Sequence, residues 1–451
     1  MTARRALLAR PGDRSGPHRA LWALTYPLIV GNLAAVALSV TDGAVLGRFS
    51  TDALAAVGLA APVMLVATIL ATGWATAVQV MTARRHGAGE AAATERALDI
   101  GAAVGLAVGA VVGAALAAIA SPLMNALAGD TDLAPAAASY LRVVAVALPL
   151  LGAMTALRSA LAGMGLTKVT MRAAIGVNLV NIPVTMVLVL GLGLGVVGAA
   201  VGTVSAVACG FTALAWYGWR RLPASGHWRR PRPQGWTTEV ARMWRIGWPE
   251  TAMLSAGYLT SVLLAAIVAR LGVVDLAAWS ILGRALPVLW TVIYACSSGI
   301  AIMVGQRLGA GDPEGVGSAL RSGWVVTGWL AAAIVAPVVA VPDLVFGVFT
   351  DDGAVAGQAV AARLYLFGQA PLMVATMVYS GALRAGGDTR SIMVASTVAN
   401  YLCALPLSWA LAIPLGLGLP GVFGGQLGYW VLRLAITHRS FARGRWRTAS
   451  L

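Results

Sequence analysis

Charge is scarce in this sequence. Only 11% of its 451 residues are Asp, Glu, Lys or Arg, whereas 59% are hydrophobic and the mean hydropathy is +0.81. A soluble fold could not clothe its surface with so few charges, which leaves a polytopic membrane protein. Acids are scarcer still, 17 against 32 basic residues. The one adjacent acid pair, Asp351-Asp352, falls in an expected outer loop. That excludes the acid-rich metal motif that a membrane-embedded prenyl or acyl transferase would need, so no enzyme is expected. The three cysteines, Cys209, Cys296 and Cys403, stand singly in apolar segments, with neither metal-ligand spacing nor a pattern that requires a disulfide. The four histidines, His18, His86, His227 and His438, are far apart and in expected loops or tails, which excludes a His-based metal centre or triad. The net charge of +15 does not point to nucleic acid, because the basic residues sit at helix ends rather than on one aromatic-interleaved surface.

What the sequence has in abundance is apolar runs longer than the ~20 residues that cross a bilayer's hydrocarbon. They lie near 20–47, 53–82, 97–121, 134–161, 170–192 and 194–219, then near 246–270, 275–305, 319–342, 356–383, 392–415 and 420–437, about twelve helices. The longest polar stretch, Arg220 to Arg245, holds three prolines and seven arginines and reads as a linker between an N-terminal lobe, 1–219, and a C-terminal lobe, 246–451. The polar tail before Arg19 is followed by a run too long for a signal-peptide core, so the run is expected to stay as a helix. Arginines and lysines alternate between loops: Arg84, Arg85, Lys168, Arg172, the linker set, Arg384, Arg390 and a tail set of Arg433, Arg439, Arg443, Arg445 and Arg447 share one side. Arg48, Arg142, Arg270 and Arg363 are the few on the other. By the positive-inside rule both termini are cytoplasmic, in the plasma (inner) membrane of a prokaryote.

An internal repeat organises these helices. Pro27 and Pro249 are 222 residues apart, and the same shift relates Leu54-Ala55-Ala56 to Leu276-Ala277-Ala278, Gly87-Ala88-Gly89-Glu90 to Gly309-Ala310-Gly311-Asp312, Pro149 to Pro371, Thr167-Lys168 to Thr389-Arg390, and Asn178 to Asn400. The chain is a duplicated six-helix unit. Because six is even, both copies enter the membrane in one direction, which is the repeat arrangement of a transporter with its path between the halves.

One acid is expected deep in a span. Counting ~1.5 Å per residue from Leu21 puts Asp42 about 31 Å along the first helix. A carboxylate there costs several kcal/mol unless it is solvated, paired or protonated, and such groups mark ion pathways. Pro27 lies in the same helix, where its missing N–H and its ring favour a hinge. In the fifth helix Asn178, Asn181 and Thr185 follow an i, i+3, i+7 spacing on one face. The sixth helix opens with Gly198-Ala199-Ala200-Val201-Gly202, which permits close backbone approach, and Thr203 comes next. Asp42, Asn178, Asn181, Thr185 and Thr203 are therefore the candidate ion-coupling residues, their oxygens suited to a proton or Na⁺. The plain alternative for the Asn and Thr residues is hydrogen bonding between helices. Glu250, Arg284 and Tyr294 are weaker candidates for the substrate path. Helix-dipole pairing explains Glu250 equally well, a structural ion pair explains Arg284, and packing is the ordinary role of a membrane tyrosine.

Thr41-Asp42-Gly43-Ala44-Val45-Leu46-Gly47-Arg48, then Leu54-Ala55-Ala56-Val57-Gly58, resembles the first-helix signature of the multidrug and toxic compound extrusion (MATE) transporters. Gly387-Asp388-Thr389-Arg390 after the tenth helix does so too, and the Arg-rich loops with a short tail look most like the DinF-like prokaryotic branch. The resemblance spans essentially the whole chain. It implies an all-α integral membrane fold, a V-shaped pair of six-helix lobes, alternating access, and export of bulky cationic or amphipathic drug-like compounds in exchange for H⁺ or Na⁺, with membrane lipid as surroundings and no cofactor. The family's first-helix aspartate maps to Asp42, its fifth-helix asparagine to Asn181 and its sixth-helix threonine to Thr203. Two departures stand out: Thr185 occupies the position of a second fifth-helix acid, and Gly257 that of a seventh-helix glutamate. One carboxylate fewer favours a single-acid proton site over Na⁺. The rival within the same broad superfamily is a lipid-linked-precursor flippase, which would need several cations around a central cleft to hold a pyrophosphate. The sequence specifies no oligomeric interface.

Overall fold

The computed structural model of the chain describes residues 16–129, 131, 133–221, 235–342, 357, 360 and 363–448, and for Arg221, residues 284–286, Arg363, Leu364 and Thr448 the backbone alone. The side chain of Arg284 therefore lies outside what is described, as do Asp351 and Asp352 and half of the Pro- and Arg-rich linker, 222–234.

The described chain is helical throughout. In order it runs α1 (Pro17–Phe49), α2 (Thr51–Thr72), α3 (Ala75–Gly87), α4 (Ala91–Ala128), α5 (Leu133–Ala145), α6 (Leu148–Gly163), α7 (Thr167–Met186) and α8 (Gly195–Arg221). The second half runs α9 (Trp236–Ala269), α10 (Val273–Gly309), α11 (Pro313–Ala340), α12 (Arg363–Ala385), α13 (Thr389–Ala399), α14 (Leu405–Ala412), α15 (Gly418–Ala442) and α16 (Arg445–Thr448). Short π-helical turns, Val187–Gly191 and Asn400–Ala404, follow α7 and α13. Among the described residues ten helices are long and apolar enough to cross a membrane, and the bent pair α5–α6 makes eleven. α15, at 25 residues, is also of spanning length but carries Gln426, Arg433, Thr437, His438 and Arg439. In hydrocarbon only internally bonded backbone is tolerated, which is why the apolar runs fold as helices and why Val40, Val111, Leu179, Val273, Trp329 and Leu402 are left facing outward.

The duplication is visible in the element boundaries. α3 and α10 end at Gly87 and Gly309, α4 and α11 begin at Ala91 and Pro313, and α7 and α13 begin at Thr167 and Thr389, each pair 222 residues apart. The turns that follow α3 and α10 need a left-handed residue, and glycine supplies it in both copies: Gly89 has φ +77° and Gly311 φ +67°.

By compactness the chain divides into two units, one formed by Val30–Thr251 and the other by the chain before Val30 together with Ala252 onward. The dividing points fall two residues after Pro27 and Pro249, so α1 and α9 each contribute one part to each unit. In the Val30–Thr251 unit, α4 lies directly on α6 and on the end of α5. A Cβ at Gly105 would fall 2.5 Å from the Gly152 carbonyl oxygen, one at Gly113 2.6 Å from the Ala145 carbonyl, and one at Gly109 against Leu148. This four-residue glycine stripe lets the two backbones touch. In the other unit Leu21 from α1 packs with Met253, Ile293, Ile300, Met377 and Trp430.

Three expectations need correcting. α9 begins at Trp236, inside the stretch read as linker, because Glu239 in its first turn is held by Arg85 at the end of α3, with both carboxylate oxygens bonded at 2.7 and 2.9 Å. Glu250 consequently sits near the middle of α9 and is buried, so the dipole of a helix N-terminus does not explain it. Arg433 belongs to α15 rather than to a tail and is only 1% exposed.

Candidate functional site

Within the Val30–Thr251 unit, three helices bring four of the five coupling candidates together. α1 carries Asp42, α7 carries Asn181 and Thr185 one turn apart and both 0% exposed, and α8 carries Thr203. The approach of α8 to α7 depends on the small residues: a Cβ at Gly202 would overlap Thr185, and one at Gly198 would meet the Leu188 backbone at 3.0 Å. Pro183 and the π turn lie beside this contact. After Met186 the chain leaves α geometry and closes with an i to i+5 bond from Leu192 N to Val187 O at 2.9 Å.

The Thr203 hydroxyl lies 3.2 Å from the Ala199 carbonyl oxygen and 3.5 Å from Asp42 Oδ2. Its single proton can serve only one of them at a time. Asn181 and Thr185 turn toward the Asp42 carboxyl closely enough to act on it electrostatically, yet neither makes a bond of good geometry. Asp42 Oδ1, both Asn181 amide atoms and Thr185 Oγ1 are buried without a hydrogen-bond partner, four of the twelve such atoms among the described residues. Buried polar atoms are nearly always paired, so this concentration sets the group apart from the rest of the described chain. One carboxylate with amide and hydroxyl oxygens is a donor set that can take a proton or a hard cation.

Asn178 stays apart from this group: its Nδ2 donates to the Ala174 carbonyl at 3.0 Å, one turn back on its own helix. Tyr140 on α5 lies within the field of Asp42 and was not singled out from the sequence. Its surroundings, Ala-Ala-Ser-Tyr-Leu-Arg, carry no local sign of that neighbour, which only tertiary folding supplies. Pro27 sits in a helix that continues unbroken from Pro17 to Phe49. Tyr294 stacks on Trp290 with ring centroids 6.0 Å apart and lies 5.2 Å below the Arg384 guanidinium.

The unit containing Ala252–Leu451 encloses a cavity of about 490 Å³ whose lining includes Met253, Tyr258, Trp290, Gln369, Tyr429 and Arg433. Tyr294 is not part of that lining, whereas Tyr258, Gln369 and Arg433 are. Tyr429-Trp430, one turn ahead of Arg433, was the available sign that this arginine turns inward. Among the described residues no three His, Cys, Asp or Glu side chains cluster as a metal site.

A duplicated set of membrane-crossing helices, with the half-buried Asp42 among unsatisfied polar groups, defines a multi-pass membrane transporter. The MatE family model matches the chain twice, over residues 27–187 and 251–410, and the chain belongs to that family. It is similar to a probable multidrug resistance protein NorM from Deinococcus radiodurans, at 33% identity over 95% of this chain and 96% of the relative. It is also similar to the multidrug resistance protein PmpM of Pseudomonas aeruginosa, at 25% identity over 94% and 92%. The fold matches that of a eukaryotic MATE transporter with a TM-score of 0.83 at 17% identity, covering 95% and 96% of the two chains. It equally matches an outward-facing multidrug resistance MATE transporter of the MOP superfamily, with a TM-score of 0.82 at 20% identity and 96% coverage of each. These comparisons assign the family and the all-α membrane fold; they do not assign a branch within the family.

Proposed function

We propose that this chain is a secondary antiporter of a prokaryotic plasma membrane, with both termini cytoplasmic, that exports bulky cationic or amphipathic drug-like compounds in exchange for protons through Asp42. The observation that carries the reading is the group formed by Asp42, Asn181, Thr185 and Thr203, a single carboxyl beside polar atoms of which those of Asn181 and Thr185 have no partner of their own. Neutral, the acid is compatible with a dry interior; charged, it needs every donor that Asn181, Thr185 and Thr203 can turn toward it. Gain and loss of a proton therefore change how α1, α7 and α8 pack, and Pro27 gives α1 a place to yield. The names of the NorM and PmpM relatives support multidrug export, and the single carboxylate supports H⁺ over Na⁺.

Coupling requires that proton and drug prefer different conformations, since a ligand with equal affinity for both shifts nothing. A tenfold difference in the proton affinity of Asp42 between two conformations is worth about 1.4 kcal/mol, and one charge crossing 100 mV about 2.3 kcal/mol. Together these sustain a modest uphill export. The flippase alternative asks for several cations around one cavity, and the cavity lining contains Arg433 as its one arginine among described side chains. The test is export of a cationic dye from proteoliposomes with proton and sodium gradients clamped independently. Export driven by the pH gradient alone is expected; export that follows sodium and ignores the pH gradient removes the proposal.

A further inference from the structure

The cavity of the Ala252–Leu451 unit contains a cation without a matching anion. Arg433 is 1% exposed, and among the described residues no ion pair includes it. Its Nη1 donates to the Tyr429 hydroxyl, its Nη2 faces the Met253 sulfur at 3.8 Å, and its Nε has no partner. A guanidinium offers five N–H donors, and a phenol and a thioether are neutral, weak acceptors for a buried charge. The rings of Trp430 and Tyr429, with centroids 5.5 and 5.6 Å from the guanidinium carbon, offset part of the desolvation cost but accept no hydrogen bond in the fork's plane.

One neighbour in the lining is oriented to present a donor rather than an acceptor. Gln369 Oε1 accepts from Trp430 Nε1 at 3.1 Å, which turns the Gln369 amide so that its NH₂ group is left to donate. Trp279, Trp290 and Tyr258 supply apolar faces elsewhere in the lining, and the volume of about 490 Å³ falls within the range of small-molecule sites. We infer that this cavity binds a compound with an aromatic or other flat apolar body and one anionic group, a carboxylate or sulfonate, which Arg433 receives in a bidentate pair. The inference does not depend on Asp42, which lies in the other unit. It extends the expected cargo from cations to compounds that carry a negative group.

The test uses the full chain in lipid nanodiscs and three probes with one ring system: 9-anthracenecarboxylate, 9-anthracenemethanol and 9-anthracenylmethyl-trimethylammonium. The wild-type protein is expected to bind the carboxylate at least tenfold more tightly than the alcohol. Arg433→Gln abolishes that preference, Arg433→Lys keeps part of it, and Asp42→Asn leaves it unchanged. Gly257→Phe provides a variant that spares Arg433: Gly257 lines the cavity and a Cβ there meets nothing within 4 Å, so the added ring fills the space and is expected to weaken carboxylate binding at least tenfold. Equal binding of carboxylate and alcohol by the wild type, no carboxylate binding, or a preference that survives Arg433→Gln or Gly257→Phe overturns the inference.

Discussion

Asp42 has no counterpart in the second copy of the repeat. The residue 222 positions on is Leu264, buried at 3% exposure, and the positions matching Asn181, Thr185 and Thr203 are Cys403, Leu407 and Gly425. One copy has kept an ionisable centre while the other has become an apolar core with a basic cavity beside it, so the two halves share helix ends but not chemistry. Two residue-level outcomes follow from contacts rather than from the proposed transport. Gly202→Ala drives a methyl into Thr185, and overpacking of this kind costs about 1–3 kcal/mol, which thermal unfolding in detergent would register as a lower midpoint. Asp312 caps α11, accepting from the Gly315 amide at 2.8 Å and pairing with Arg307 at 2.8 Å, and these partners hold its carboxyl below the usual carboxylate range. A carboxyl lowered in the folded state stabilises above its unfolded pKa and loses that contribution as the pH falls through the folded value. Asp312→Ala is therefore expected to lower stability by at most about 1 kcal/mol at pH 7, because the side chain is a third exposed and water screens it, and to make little difference in strong acid. An equal deficit at both pH values would contradict this.

At the scale of elements, the helices depend on close contacts that polar pairs then fix. Gly105→Leu replaces a hydrogen with a side chain aimed at the Gly152 carbonyl, and separation of α4 from α6 is expected to abolish folded protein on size-exclusion chromatography rather than only reduce activity. Glu239→Ala leaves the Arg85 guanidinium buried without its carboxylate, a change of about 3–5 kcal/mol for pairs of this kind. Unfolding should begin at lower temperature, and Arg85→Met paired with Glu239→Leu should recover most of the loss. The helices themselves were legible from apolar runs, because a bilayer leaves the backbone no other choice. Their ends were less so. The start of α9 was missed because Trp236 to Arg245 carries Glu239, Arg242 and Arg245, and the Arg85 partner of Glu239 lies more than a hundred residues earlier in the chain. The depth of Glu250 was misjudged for the same reason. Arg433 was counted with the tail because a basic residue near a helix end ordinarily snorkels; only the fold shows the cavity that encloses it. Asp42, Asn181, Thr185 and Thr203 were legible because periodicity places them on facing helices, whereas Asn178, on the same stripe, turns its Nδ2 to the Ala174 carbonyl of its own helix.

For the whole molecule, the repeat is the feature that joins sequence to transport. The repeat-related helices α1 and α9 pass from one compact unit to the other just after Pro27 and Pro249. Pro27→Ala restores a backbone donor within α1, and such a change in a helix interior is worth up to about 3 kcal/mol in favour of the straight helix. Transport is expected to slow severalfold while dye binding to the purified protein is unchanged; unaltered transport would show that α1 does not need to yield there. The central claim is that a single carboxyl, gaining and losing a proton, drives export. The most direct measurement is dye export by proteoliposomes holding Asp42→Asn under an imposed pH gradient, with folding and dye binding checked on the same preparation. The account predicts export no faster than from empty liposomes by a protein that still folds and binds dye; gradient-driven export at the wild-type rate would contradict it.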